Sequence, residues 1–143
     1  MKNFENNMKL FLPSFSVNEG MARQAVASFV SQLNPTIEEL ADIKCAVSEA
    51  VTNSIVHGYK YKQGTVYIGV KYCNEDRTVV IDIKDNGCGI EDVKKAMTPL
   101  FTTDTTGERS GMGFAVMQAF MDKLEVTSKA NDGVRVVMTK YLK

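Results

Sequence analysis

Tryptophan is absent from the 143 residues, histidine occurs once, and cysteine and proline occur three times each. Cys45, Cys73 and Cys88 stand far apart with no CxxC pair, and His57 has no second histidine to join it. That pattern argues against a Cys/His zinc site. An odd number of scattered thiols makes no disulfide framework and predicts a reducing, cytoplasmic setting. Neither sign of charge is in excess, since 17 Lys and Arg balance 17 Asp and Glu. A protein that rides on the phosphate backbone carries a basic surplus, so direct nucleic-acid binding is not expected. No apolar run approaches the roughly 20 residues of a membrane span, so no membrane association is expected. Leu10-Phe11-Leu12 is too short for the apolar core of a secretory leader, and Pro13 ends it.

What is present is ordinary globular material, with 44% hydrophobic residues, enough for a core that needs no covalent staple. No repeat or low-complexity linker divides the chain, so residues 1–143 read as a single domain. Residues 8–15 predict an edge strand, with Pro13 tolerated near its end. A helix capped by Ser16 or Asn18 runs from about Glu19 to Leu33, with Ala22, Val26, Phe29, Val30 and Leu33 at helical spacing. Thr36 and Glu39 form a capping box that opens a longer helix, and Gly58 stops it. Leu40, Ile43, Val47, Val51 and Ser54 make its core stripe. Two strands follow, Thr65 to Tyr72 and Thr78 to Lys84, joined by the turn-forming Asn74-Glu75-Asp76-Arg77. Beyond them come a turn at 85–89, a short helix from Glu91 to Met97 and a long loop over 98–110. A helix from Met112 to Met121 and two strands, Leu124 to Lys129 and Val134 to Leu142, complete the chain. This order predicts an α+β fold, a largely antiparallel or mixed sheet with helices on one face.

Three constellations could carry chemistry. Glu49 and Asn53 lie four residues apart on the long helix and so share one face, nearly opposite the core stripe. Such a pair is either a solvated polar surface or a proton acceptor beside an amide oxygen that can bind a hard cation. Asp85-Asn86-Gly87-Cys88-Gly89 ends a strand as a plain turn, or as a loop whose aspartate receives an exocyclic amine. Arg109-Ser110-Gly111-Met112-Gly113-Phe114 opens a helix. It is an ordinary start, or a place where backbone N–H groups and an arginine meet a phosphate. There is no GxxxxGK[ST] loop, and neither HRD nor DFG occurs, which excludes the P-loop and eukaryotic-type kinase solutions.

In their order and spacing these motifs resemble the GHKL ATPase superfamily, a two-layer α/β sandwich called the Bergerat fold that binds ATP under a lid. The segments Val47 to Tyr59, Pro99-Leu100-Phe101-Thr102-Thr103 and Glu108 to Phe114 are similar, more closely, to the anti-sigma F factors of spore-forming bacteria. That resemblance covers nearly the whole chain. It implies a mixed, mostly antiparallel sheet and a lid over 98–110. It further implies an ATP/ADP- and Mg²⁺-binding serine protein kinase, acting as a homodimer. Such a protein sequesters the sporulation sigma factor F and phosphorylates a serine on an anti-anti-sigma factor. Carried over by motif, Glu49 is the general base, Asn53 holds Mg²⁺, and Asp85 accepts the adenine amino group. Gly87 and Gly89 shape that wall of the pocket, Gly111 and Gly113 offer N–H groups to the phosphates, and Arg109 sits near the terminal one. Arg23, on the first helix, corresponds to a partner contact. One departure stands out, because many relatives have Gly-Thr where this chain reads Gly133-Val134. The related anti-sigma B kinases share the motifs. A histidine kinase catalytic domain would need a phosphoacceptor histidine on a dimerisation helix, and a module that only binds ATP would need no Glu49.

Overall fold

A computed structural model describes residues 2–97 and 113–143. The expected lid over 98–110, with Arg109 and Gly111, lies outside the described residues. Five strands form the sheet: β1 (Asn6–Pro13), β2 (Thr65–Cys73), β3 (Thr78–Asp85), β4 (Lys123–Ser128) and β5 (Val134–Tyr141). Their order is β1-β2-β3-β5-β4, and each of the four pairings is antiparallel. The helices are α1 (Asn18–Val30), α2 (Ile37–Asn53), α3 (Val93–Ala96) and α4 (Gly113–Phe120).

Side chains alternate across the strands with a period of two. Val66, Ile68 and Val70 of β2, Val79, Ile81 and Ile83 of β3, and Val136 and Met138 of β5 are buried on the helix side. Ala22, Val26 and Val30 of α1, Ile43 and Val47 of α2, and Met117 of α4 close over them, all fully buried. Each such Ile or Met contributes about 2 kcal/mol relative to an exposed side chain, so this one layer contact dominates the stability. The other face presents Lys71 and Lys84 to solvent. There Arg135 makes a bidentate pair with Asp82 at 2.6–3.0 Å, and an exposed pair of this kind contributes little.

The capping box predicted at the start of α2 is present. Glu39 N–H donates to Thr36 Oγ1 at 3.0 Å, and Thr36 N–H donates to Glu39 Oε1 at 2.9 Å. Glu39 Oε2 also accepts from Lys143 N–H at 2.8 Å. The cap expected for α1 is absent. Val17 holds that position with no side-chain bond, because Asn18 Nδ2 instead donates to the Pro13 carbonyl at 2.9 Å. The edge strand begins two residues earlier than its hydropathy suggests, and Pro13 does end it.

The longer helix does not run regularly to Gly58. After Asn53 the chain widens into a π-helical turn over Ser54–Gly58, in which Tyr59 N–H reaches back to the Ser54 carbonyl at 2.8 Å. Turns of this kind are rare and cluster at functional sites. Ser54, read from sequence as the last residue of the core stripe, is buried at the start of this turn.

Candidate functional site

The end of α2, the π-helical turn, the 85–90 turn, α3, the start of α4 and the start of β5 converge around a cleft of about 830 Å³. Its volume is that of a small-molecule site. Its lining combines apolar surface from Ala50, Ile90, Phe114, Val134 and Val136 with polar groups from Asn53, His57 and Asp85.

Asp85 is the unusual member. It lies on the inward face of β3 and is only 1% exposed. A buried carboxylate must find donors. The Gly87 N–H bonds Oδ1 at 2.9 Å, and the Ser54 hydroxyl and the Val134 N–H supply two more. Burial pushes the Asp85 carboxyl above its ordinary value of 3.8, and these three bonds offset part of that rise. A carboxylate offers about four acceptor positions, so three donors leave room for one further N–H. Facing an apolar cleft, that vacancy suits the exocyclic amine of a flat heteroaromatic ring.

The turn that carries Asp85 is locked by main-chain approach. A Cβ on Gly87 would stand 2.2 Å from the Gly58 carbonyl oxygen, so the two segments touch backbone to backbone. The contact is sealed by Cys88 N–H donating to the Gly58 carbonyl at 2.8 Å and Gly133 N–H donating to the Gly87 carbonyl at 3.1 Å. Gly89 and Gly133 have φ of +75° and +73°, a region closed to most side chains. Gly89 lines the cleft as expected from sequence, whereas Gly87 is not among the lining residues and instead sets the spacing behind Asp85.

Asn53 and Gly113, which also line the cleft, meet each other. A Cβ on Gly113 would come within 2.9 Å of Asn53 Nδ2 and 3.1 Å of Oδ1. The helix-start glycine and the amide, 60 residues apart in sequence, are thus in contact. No group of three His, Cys, Asp or Glu that could hold a metal exists among the described residues. Asn53 alone fits Mg²⁺, which keeps most of its waters and takes further oxygens from phosphates rather than from a protein cage. Glu49 stands one turn before Asn53 on α2, half-buried, and outside the residues that line the cleft. Arg23 lies elsewhere, on α1, 3.5 Å from Glu19.

Three residues escaped the sequence reading. Ser54 is buried as its place in the core stripe predicts, but the service of its hydroxyl to Asp85 was not read. His57, noted from sequence only as the single histidine, lines the cleft. Tyr59 Oη donates to the Thr65 carbonyl at 2.5 Å and accepts from the Asn86 N–H at 2.8 Å. Burial holds its phenol above the ordinary value of 10.0, so it stays protonated and able to donate. Where relatives carry threonine, Val134 gives Asp85 only its backbone N–H; the side-chain hydroxyl comes from Ser54.

Residues 16–140 match the family of histidine kinase-like ATPase domains. An anti-sigma F factor of Clostridium botulinum (strain Eklund 17B / Type B) is 55% identical over 138 residues, covering 96% of this chain and 95% of its own. The anti-sigma F factor of Thermoanaerobacter sp. (strain X514) is 55% identical over 139 residues, 97% of this chain and 96% of that one. That of Clostridium kluyveri is 52% identical over 137 residues, 96% of this chain and 95% of that one. Among solved structures, the RsbU and RsbW domains of a Mycobacterium tuberculosis protein superpose with a TM-score of 0.67 at 16% identity, over 96% of this chain and 32% of that one. The catalytic domain of the histidine kinase ThkA superposes with a TM-score of 0.54 at 16% identity, over 93% of this chain and 96% of that one. These two likenesses speak to the fold. Together with a cleft lined by both Asp85 and Asn53, the relatives place the chain in the anti-sigma F factor family, with that family's histidine kinase-like ATPase domain.

Proposed function

We propose that this chain binds ATP or ADP with Mg²⁺ in the cleft, inhibits sigma factor F by direct binding, and phosphorylates a serine on an anti-anti-sigma factor. The observation that carries the nucleotide reading is the buried Asp85 carboxylate lining the cleft beside the apolar Ala50, Ile90 and Val134. The relatives' name supports the sigma-factor partner. Asp85 receives the adenine amine, while the walls of Val134, Ile90 and Ala50 exclude water from the ring. Asn53 holds Mg²⁺, which when bound neutralises phosphate charge. Phosphoryl transfer is mostly positioning and charge neutralisation, with one acceptor for the nucleophile's proton. Glu49 is that acceptor: its carboxylate takes the proton of the serine hydroxyl as the oxygen bonds to the terminal phosphorus and the bond to the departing ADP breaks. Gly113, with Gly111 and Arg109, serves the phosphates. Arg23 faces the partner, and the protein is a cytoplasmic homodimer, the whole chain acting as one domain.

The test is transfer of label from ATP, in Mg²⁺, to a purified anti-anti-sigma protein. Acid-stable phosphoserine on the partner is the expected product, and acid-labile phosphohistidine on the chain itself would overturn the assignment. Replacing Glu49 by Gln should lower the transfer rate by a factor of 10² to 10⁴, on the order of a positioned general base, with ATP affinity changed less than about twofold. An unchanged rate would remove Glu49 from the chemistry.

A further inference from the structure

The end of the β2–β3 ladder contains an anomaly. Ser14 N–H donates to the Gly64 carbonyl on the β1 side at 2.9 Å, so Thr65, one residue on, turns its carbonyl towards β3. Tyr67 pairs with Lys84, and the same register two residues further brings Asn86 opposite Thr65. A direct bond from Asn86 N–H to the Thr65 carbonyl is the expected last rung. In its place stands the hydroxyl of Tyr59, which accepts from Asn86 N–H at 2.8 Å and donates to the Thr65 carbonyl at 2.5 Å. The ring reaches this point from the C-terminal end of the π-helical turn because Gly64 makes way for it; a Cβ there would stand 2.3 Å from Tyr59 Cε1. An interposed hydroxyl holds the two backbones roughly 1–2 Å further apart than a direct rung would.

Asn86 sits between Asp85 and Gly87, whose N–H fixes the Asp85 carboxylate at 2.9 Å. We infer that Tyr59 is a positioning residue for base recognition: its hydroxyl is a spacer rung that sets the height of the Asp85–Gly87 turn and thereby the preference of the cleft for adenine over guanine. Removing the hydroxyl lets the strands close on each other, draws the turn towards β2 and shifts the carboxylate away from the amine it meets. The ring needs no contact with the nucleotide to do this. The inference rests on the proposal that Asp85 receives the adenine amine, and the experiment separates the two.

Calorimetric dissociation constants for ATP and GTP in Mg²⁺ are measured on the full chain, on Tyr59→Phe and on Asp85→Asn. Tyr59→Phe should weaken ATP roughly tenfold while GTP changes less than about twofold, since a misplaced charged acceptor is felt only by the base that donates to it. A loss shared equally by the two nucleotides would reveal a merely structural tyrosine and overturn the inference. Should Asp85→Asn lose discrimination while Tyr59→Phe keeps it, the spacer role fails and the reading of Asp85 stands. Should neither variant alter the ATP/GTP ratio, the reading of Asp85 fails and the spacer role falls with it. If Tyr59→Phe does not fold, hydrogen exchange on the unaltered protein decides the matter. The Asn86 amide, at a solvent-facing turn, must be protected by Tyr59, and exchange at the unprotected rate would overturn the inference.

Discussion

Replacement of Asp85 by Asn should separate the stability of this protein from its ligand affinity, in opposite directions. The amide keeps the shape of the carboxylate and an acceptor oxygen for the Gly87 N–H, now 2.9 Å away, but carries no charge. Hydrogen bonds to a charged acceptor contribute about 1.5–3 kcal/mol and those to a neutral one about half as much, a difference of about 0.8–1.5 kcal/mol. ATP should therefore bind roughly 4- to 12-fold more weakly to the variant. Stability moves the other way. Burial raises the folded-state value of the Asp85 carboxyl above the ordinary 3.8, so the folded state holds its proton more tightly than the unfolded chain does. A group of that kind favours the folded state below 3.8, and the benefit is lost as pH rises through the raised folded value. The variant escapes this loss, so its advantage in urea denaturation should be smallest near pH 3.8 and grow towards neutrality. An advantage that shrinks as pH rises would refute the account of Asp85 as a buried carboxylate kept for function at a cost in stability. Unchanged ATP affinity would refute the assignment of its open acceptor position.

Gly87→Ala places a methyl 2.2 Å from a backbone oxygen that cannot rotate away. It should lower the unfolding free energy by about 2 kcal/mol or more in denaturant titration. Gly113→Ala is different, because its methyl meets only the end of the Asn53 side chain at 2.9 Å. Helix propensity should leave its thermal stability equal or higher by up to about 1 kcal/mol, while the Mg²⁺ dependence of ATP binding weakens as Asn53 is pushed aside; an unaltered Mg²⁺ titration would count against Asn53 as the metal's ligand. Thr36→Ala removes one half of the capping box and should cost about 1 kcal/mol by urea denaturation at pH 7. Burial works against the ionised Glu39, yet the Thr36 and Lys143 N–H groups and the Thr36 hydroxyl outweigh it and hold its carboxyl below the ordinary 4.5. The contribution of Glu39 is therefore present above pH 4.5 and lost as pH falls further. The Thr36→Ala deficit should accordingly narrow in acid.

Where a rule of local chemistry governs, the sequence and the structure agree. The Thr36–Glu39 box needs only a spacing of three, and the strand alternation from Thr65 to Asp85 needs only a period of two. The antiparallel hairpin follows from the turn composition at 74–77. Contacts that depend on three-dimensional accident were less readable. Asn18 can cap a helix through Oδ1 or donate through Nδ2, and the structure shows its Nδ2 bonded to the Pro13 carbonyl while Val17 takes the cap position. Nothing in Ser54-Ile55-Val56-His57-Gly58 announces a π-helical turn; the 3.6-residue count does bury Ser54, but it does not say which acceptor its hydroxyl finds. Tyr59 reads as a generic aromatic after a glycine, since its two hydrogen-bond partners lie 6 and 27 residues away. The polar candidates Asn53, Asp85 and Gly113 do converge on one cleft, but no spacing rule could tell that Gly87 serves from behind it.

The mutual approach of residues 58, 87 and 133 has a consequence for how the pocket can change. A support built from peptide planes rather than from side chains has no rotamers to rearrange, so the turn behind Asp85 enters binding already in its final shape and little ordering entropy is lost there. The height of that turn cannot be altered by swapping a bulky residue for a small one within the contact, because no side chain occupies it. It changes only through residues that shift the planes as a body.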